Sequence, residues 1–187
     1  MPRTALQFKR MKDERKLSIL EASLPLFSLD KDKVSVDLIS QKAKCSHGLV
    51  YHYFKNTDEI YEELLTSETY ISLKEKLFID DKGRYAYEVI KETMKILYDL
   101  DSPIDMAFAN IIISEVDKKS LLERLALLVA RGQKEGEVTG GNPKDIVLCA
   151  FYLLKGIYLS YLTQKKPKIV KPSFDNVMKV IKKNSYQ

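Results

Sequence analysis

Histidine and cysteine are scarce in this chain, two of each in 187 residues. The cysteines, Cys45 and Cys149, are isolated, so they supply neither a disulfide framework nor the paired spacing of a metal site. They suit a reducing compartment, and Cys45 is expected to be a small packing residue. No glycine-rich phosphate loop, His-Glu metal motif or nucleophile elbow occurs. The carboxylates lie mostly on polar helix faces, as solvated charges do. An enzyme is therefore not expected, and neither is a cofactor or a metal. No N-terminal apolar stretch resembles a signal peptide, and no segment is expected to span a membrane. A cytoplasmic protein is expected.

What is present is charge in particular places. The chain carries a formal +5 with a pI near 9.0, which favours a polyanionic partner only weakly. Residues 1–16 hold Arg3, Lys9, Arg10, Lys12, Arg15 and Lys16 against Asp13 and Glu14. Such an arm can lie along phosphate or remain a solvated tail. From Lys165 to Gln187, Lys165, Lys166, Lys168, Lys171, Lys179, Lys182 and Lys183 face only Asp175; a solvated helix face and loop is the favoured reading there. The middle of the chain is net acidic, which argues against a second DNA surface.

The stretch SVDLISQKAKCSHGLVYHYFKNTDE, Ser35 to Glu59, is the most informative. Ser35 suits a helix N-cap, because its hydroxyl can accept from the free N–H groups of the first turn. Asp37 then opposes the positive helix end. Val36, Ile39, Ser40 and Ala43 recur at helical spacing, and the small Ser40 and Ala43 let a second helix approach. Lys44-Cys45-Ser46 makes the turn, with Ser46 as the next cap. A second helix is expected from His47 to about Tyr53, with Val50 and Phe54 facing the core. Gly48 lets the backbone approach a groove. His47 can meet a base edge and Leu49 a thymine methyl. Tyr51, His52 and Tyr53 carry polar tips for sugar and phosphate oxygens, and Lys55 adds charge at the exit. Asn56 is expected to cap the following helix, with Glu59 reaching back as in a capping box. The candidate DNA-binding residues are therefore Ser35, Ser46, His47, Gly48, Leu49, Tyr51, His52, Tyr53 and Lys55.

These residues carry a resemblance. Ile19-Leu20-Glu21-Ala22 through Leu26-Phe27, then Ser35-Val36, then Ser46-His47-Gly48-Leu49-Val50-Tyr51-His52-Tyr53-Phe54-Lys55 resemble the DNA-binding domain of the TetR family of transcriptional regulators. The likeness spans Ile19 to Leu64. It implies that Ser35, His47, Gly48, Leu49, Tyr51, His52 and Tyr53 face DNA. Three positions depart from the pattern. Lys44 stands where glycine is usual, the loop Leu29-Asp30-Lys31-Asp32-Lys33 lacks its glycine and aromatic, and Thr57 replaces a frequent lysine.

Beyond residue 56 nearly everything reads as helix, broken at Asp80-Asp81-Lys82-Gly83, Asp101-Ser102-Pro103, Gly136 through Pro143, and Lys166-Pro167 through Pro172. The expected organisation is all-α: an arm and helix-turn-helix domain over 1–60, then a helical bundle over 61–187. A connecting helix is expected from Thr57 to about Phe78. Tyr87, Ile90, Met94, Leu97 and Tyr98 form one apolar stripe, and Leu122, Leu125, Leu128 and Val129 another. Ile104 to Val116 is apolar over much of its circumference, which implies burial on several sides. Such helices must bury one another.

The helix from about Pro143 to Gln164 is apolar on two faces. Ile146, Ala150, Leu153, Ile157 and Tyr161 form one face; Leu148, Tyr152, Leu159 and Leu162 form the other. A last helix, about Ser173 to Lys183, shows Phe174, Val177, Met178 and Ile181. The expected homodimer interface comprises Ile146, Ala150, Leu153, Ile157, Tyr161, Phe174, Val177, Met178 and Ile181. A two-fold dimer would present two reading helices to a palindromic site.

The resemblance also implies a small-molecule cavity in the second domain, with Met94, Tyr98, Phe108, Ile112, Tyr152, Lys155 and Tyr158 as candidate lining and a small apolar or anionic ligand as occupant. The function expected is that of a dimeric, ligand-released repressor of a double-stranded DNA operator. The alternative is a DNA-binding organiser or adaptor of the same fold, controlled by a protein partner.

Overall fold

The computed structural model describes residues 5–117, 119–163 and 171–183. Arg3 of the basic arm, the Lys166-Pro167 break, and Lys165 and Lys168 of the C-terminal tract lie outside them. Among the described residues the fold is all-α, with one isolated antiparallel bridge between Val138 and Lys182. Two compact units divide at Ile71 and Ser72, eleven residues beyond the expected boundary at residue 60. The expected connecting helix is in fact two, Thr57–Leu65 (α4) and Glu68–Leu77 (α5). Thr66 and Ser67 turn their hydroxyls onto the carbonyls of Glu63 and Leu64, at 2.9 and 2.7 Å, which closes the first helix and allows a break.

In the first unit, the helix Ala5–Leu29 (α1) begins well inside the basic arm. It buries Ile19, Ser23, Leu24 and Phe27 at helical spacing, and packs against Val36–Ala43 (α2) and α4. Phe27 meets the Tyr61 ring of α4 at 5.1 Å between centroids. Lys16 pairs with Glu63 at 2.5 Å and lies 5.4 Å from the centre of the Phe54 ring. A single α1 side chain thus holds both α4 and Phe54, the residue that ends the helix before it.

The second unit contains Ala86–Asp99 (α6), Pro103–Ile112 (α7), Leu121–Glu135 (α8), Pro143–Thr163 (α9) and Phe174–Met178 (α10). α8 packs against both α6 and α9, and α7 packs against α9. Leu122, Leu125, Leu128 and Val129 are all buried, as are Ile90, Met94 and Leu97, joined by Val89 and Thr93. The apolar run from Ile104 is shorter than its composition implies. The helix ends at Ile112, and Ile104 and Val116 are exposed. Tyr85 provides no side-chain cap for α6; Glu135 does so from α8, its Oε2 accepting from Ala86 N–H at 2.8 Å.

The expected long last helix stops at Met178. After it the chain joins the loop that follows α8: Thr139 N–H donates to Ile181 C=O, and Lys183 N–H to Glu137 C=O, both at 2.9 Å. At that bridge Val138 lies against Gly132, which has no side chain to obstruct it. α9 departs from one further expectation. By length and composition it could cross a membrane. One such helix is weak evidence, since a core helix passes the same test, and its inward face packs on α7 and α8.

Candidate nucleic-acid interface

Three caps set the interface. Ser35 Oγ accepts from Leu38 N–H at 3.3 Å and starts α2; Ser46 Oγ accepts from Leu49 N–H at 3.2 Å and starts the helix His47–Tyr53 (α3). Asn56 Oδ1 accepts from Glu59 N–H at 2.8 Å and starts α4. Glu59 Oε2 reaches back to Lys55 N–H at 2.5 Å, one residue before the cap that a capping box would satisfy. Each side-chain oxygen takes a backbone donor that a helix start otherwise leaves unpaired.

The turn between α2 and α3 depends on Lys44, at φ 53° and ψ 48°. Among the described residues it is the only non-glycine at positive φ. Its N–H donates to Gln41 C=O, and Cys45 N–H to Ser40 C=O at 3.0 Å. These are the two bonds of a Schellman closure. The left-handed position sits where the sequence lacks the usual glycine.

α3 is held from one side only. Val50 and Phe54 are buried, while His47, Gly48, Tyr51, His52 and Lys55 are exposed and Leu49 and Tyr53 are half-buried. Ser35 and Ser46 are exposed as well. Tyr51 keeps 59% of its surface in solvent. All nine sequence candidates therefore lie on or beside the open face of the helix-turn-helix. His52 and Tyr53 meet edge to face, with ring centres 5.0 Å apart, which holds two polar-tipped rings in fixed relation.

One member of this face is not evident from the motif. Asp37 Oδ1 lies 3.3 Å from His47 Nε2, so a carboxylate from α2 engages the first side chain of α3. Read along the chain, Asp37 serves only the helix start. Only the folding of one helix over the other brings it to His47.

Comparison with known proteins agrees with this geometry. Residues 19–64 match the family described as bacterial regulatory proteins, tetR family. The uncharacterized HTH-type transcriptional regulator YhgD of Bacillus subtilis (strain 168) is 26% identical, the match covering 81% of this chain and 84% of that protein. The helix-turn-helix unit matches the TetR family of bacterial regulators. Among solved structures, a Rhodococcus sp. protein assigned to the same family has a TM-score of 0.50 at 17% identity, over 89% of this chain and 94% of that one. A TetR-family regulator from Haemophilus influenzae RD is 20% identical with a TM-score of 0.48, over 92% and 99% respectively. At 17% identity the likeness to the Rhodococcus structure concerns the fold alone.

In the second unit the candidate ligand residues separate into two sets. Met94, Phe108, Ile112 and Tyr158 are buried, on α6, α7 and α9. Tyr158 donates its hydroxyl to Leu97 C=O at 2.7 Å, and burial holds the phenol well above its ordinary titration range. Lys155, one turn earlier, is half-buried, and desolvation lowers its pKa. Its ammonium lies 5.8 Å from the centre of the Tyr152 ring.

Tyr152 and Tyr98 do not join the buried set. Tyr152 is 65% exposed. Tyr98 donates its hydroxyl to Pro172 C=O at 2.8 Å and meets the Phe174 ring at a tilt, with centroids 5.3 Å apart, so it fastens α10 to the end of α6. Next to that contact is a surface groove of about 540 Å³, lined by Lys91, Lys95, Ile96 and Phe174 with several carboxylates. None of the buried candidates lines it.

The candidate interface residues need correction. Ile146 and Ala150 are buried inside the unit, as are Val177, Met178 and Ile181, so they already have partners within the chain. Phe174 is committed to Tyr98. Ile157 and Tyr161 lie half-buried at the margin. The face that α9 leaves open carries Cys149, Tyr152, Leu153, Gly156, Leu159 and Ser160, which takes members from both faces distinguished in the sequence.

Proposed function

We propose that this regulator is a homodimeric repressor that works in the cytoplasm and leaves a palindromic operator when a small molecule binds its second unit. The observation that carries the dimer is the open face of α9. Tyr152, Leu153 and Leu159 are exposed at 65, 42 and 50%, a cost in water that burial against a second copy would remove. Cys149, Leu153, Gly156, Ser160 and Thr163 recur at alternating steps of four and three, the spacing of a helix–helix seam. Three of the five are small, which lets two helices approach closely.

The ligand is read as small and apolar or anionic. Lys155 is a cation half-withdrawn from water beside the buried Phe151, Leu154 and Tyr158, and an anionic group would offset its desolvation. Release then requires only that the ligand bind more tightly to a dimer that cannot span both half-sites.

Capture of bound DNA across the genome, followed by titration of the recovered site, tests the reading. A palindromic site is expected, with a dimer in sedimentation and a monomer for Leu153→Glu that binds the site far more weakly. A wild-type monomer at micromolar concentration would refute the dimer. Salt-sensitive binding without a preferred site would favour the adaptor reading.

A further inference from the structure

Asp37 is an unexpected residue for a DNA-facing surface. Its side chain is 70% exposed, on a helix whose cap, Ser35, belongs to the candidate interface. A free carboxylate there repels phosphate. At the helix start it serves only as a solvent-screened charge opposite the positive helix end. The contact that gives it a further role is the one to His47, with 3.3 Å between Oδ1 and Nε2.

We infer that Asp37 is a positioning residue for base selection: it holds Nε2 of His47 and thereby decides which ring nitrogen His47 offers to the groove. This rests on the reading of α3 as the recognition helix. Neutral imidazole has one donor and one acceptor nitrogen, and a negative charge beside one nitrogen biases which of the two carries the proton. A carboxylate beside Nε2 favours the proton there, which leaves Nδ1 as an acceptor. His47 is the first residue of α3, and the N-terminal residues of a recognition helix are those that reach base edges. An acceptor at that point pairs with an exocyclic amino group, N6 of adenine or N4 of cytosine, and not with guanine, whose major-groove edge offers only N7 and O6 acceptors. Without Asp37 the ring is free to present either nitrogen, and the selection relaxes.

Binding of every single-base variant of the recovered site would be measured at about pH 8 for wild type, Asp37→Ala, Asp37→Asn and His47→Ala. The expected wild-type profile contains one position per half-site that prefers adenine or cytosine over guanine by roughly tenfold or more. His47→Ala and Asp37→Ala should flatten that position alone. Asp37→Ala should also bind unrelated DNA as tightly as wild type or more so, because a negative charge has gone. Asp37→Asn, whose amide still accepts through oxygen, should retain part of the preference.

A structural role for Asp37 would instead weaken every site equally and lower the melting temperature; that outcome overturns the inference. So does a His47-dependent position that prefers guanine, or one that Asp37→Ala leaves unchanged. If wild type discriminates no base at all, the reading of α3 fails with it, and the two failures are thereby told apart.

Discussion

Replacing Lys44 with glycine should stabilise this protein, although it removes a side chain and adds chain entropy. Lys44 sits at φ 53° and ψ 48°, where the Cβ of an ordinary residue crowds the backbone at a cost of about 1–2 kcal/mol. Glycine avoids that cost but gives up about 0.5–1 kcal/mol of extra backbone freedom on folding. The side chain is exposed, so little packing is lost. The net expectation is a gain of about 0.5–1 kcal/mol. For a unit of this size, melting independently, that corresponds to an upward shift of about 2–8 °C. Lys44→Ala separates conformation from charge: it removes the ammonium and keeps the strained φ, so no gain is expected. Lys44→Asn should recover part of it, since asparagine tolerates this region better. Thermal and urea unfolding of the four proteins decide the matter. A glycine variant no more stable than the alanine variant would show that the strain is absent or that the Lys44 side chain serves the fold.

Three further outcomes are expected. Tyr51→Ala should weaken operator binding by roughly 10–100-fold, the worth of about one hydrogen bond to a charged group, with unchanged melting; quantitative mobility shift reads this, and unaltered affinity would remove Tyr51 from the interface. A Cβ added at Gly132 would meet Val138 Cγ2 at 2.4 Å, so Gly132→Ala should cost about 1–3 kcal/mol by overpacking; most of the loss should return in the Gly132→Ala, Val138→Ala pair, and additive losses would mean the two residues do not clash. Lys155 has a folded-state pKa lowered by desolvation, so the unfolded chain holds the extra proton between that value and 10.5, and stability should rise with pH across this window. Lys171 contributes in the same direction and Tyr158 in the opposite one above about pH 10, so the test is the difference in unfolding free energy between wild type and Lys155→Met, which should move in favour of wild type as pH rises; a constant difference would show that the ammonium is fully solvated.

The reader was legible because its determinants are local. Ser35, Ser46 and Asn56 each cap the helix they precede, and a cap acts over three residues, a distance that sequence spacing measures directly. The bounds of α3 follow from Ser46 at one end and buried Phe54 at the other. The break at Thr66 and Ser67 was not legible, since hydroxyls that bond back to helix carbonyls occur within helices as well as at their ends. The Asp37–His47 contact was hidden for a related reason. It crosses the turn, so it depends on how α3 lies on α2 and on no pattern within either helix.

The second unit shows the opposite balance, and α9 shows why. Twenty-one residues that are apolar nearly all round contain too little polar contrast for periodicity to distinguish inside from outside. Ile146, Ala150, Leu153 and Ile157 share a stripe on the helix, yet α7 and α8 bury the first two and leave Leu153 open. Neighbours therefore decide the inward side, and they are set by contacts distant in sequence. Size is the property that does survive on the outward side. Cys149, Gly156 and Ser160 leave a shallow strip between Tyr152, Leu153 and Leu159, a poor way to fill a core but a good way to admit another helix. If that strip receives a second copy, the apolarity that obscured the fold of α9 is what assembly requires of it, and the half-buried Lys155 at its border is the place where binding in the unit and pairing of the subunits would influence each other.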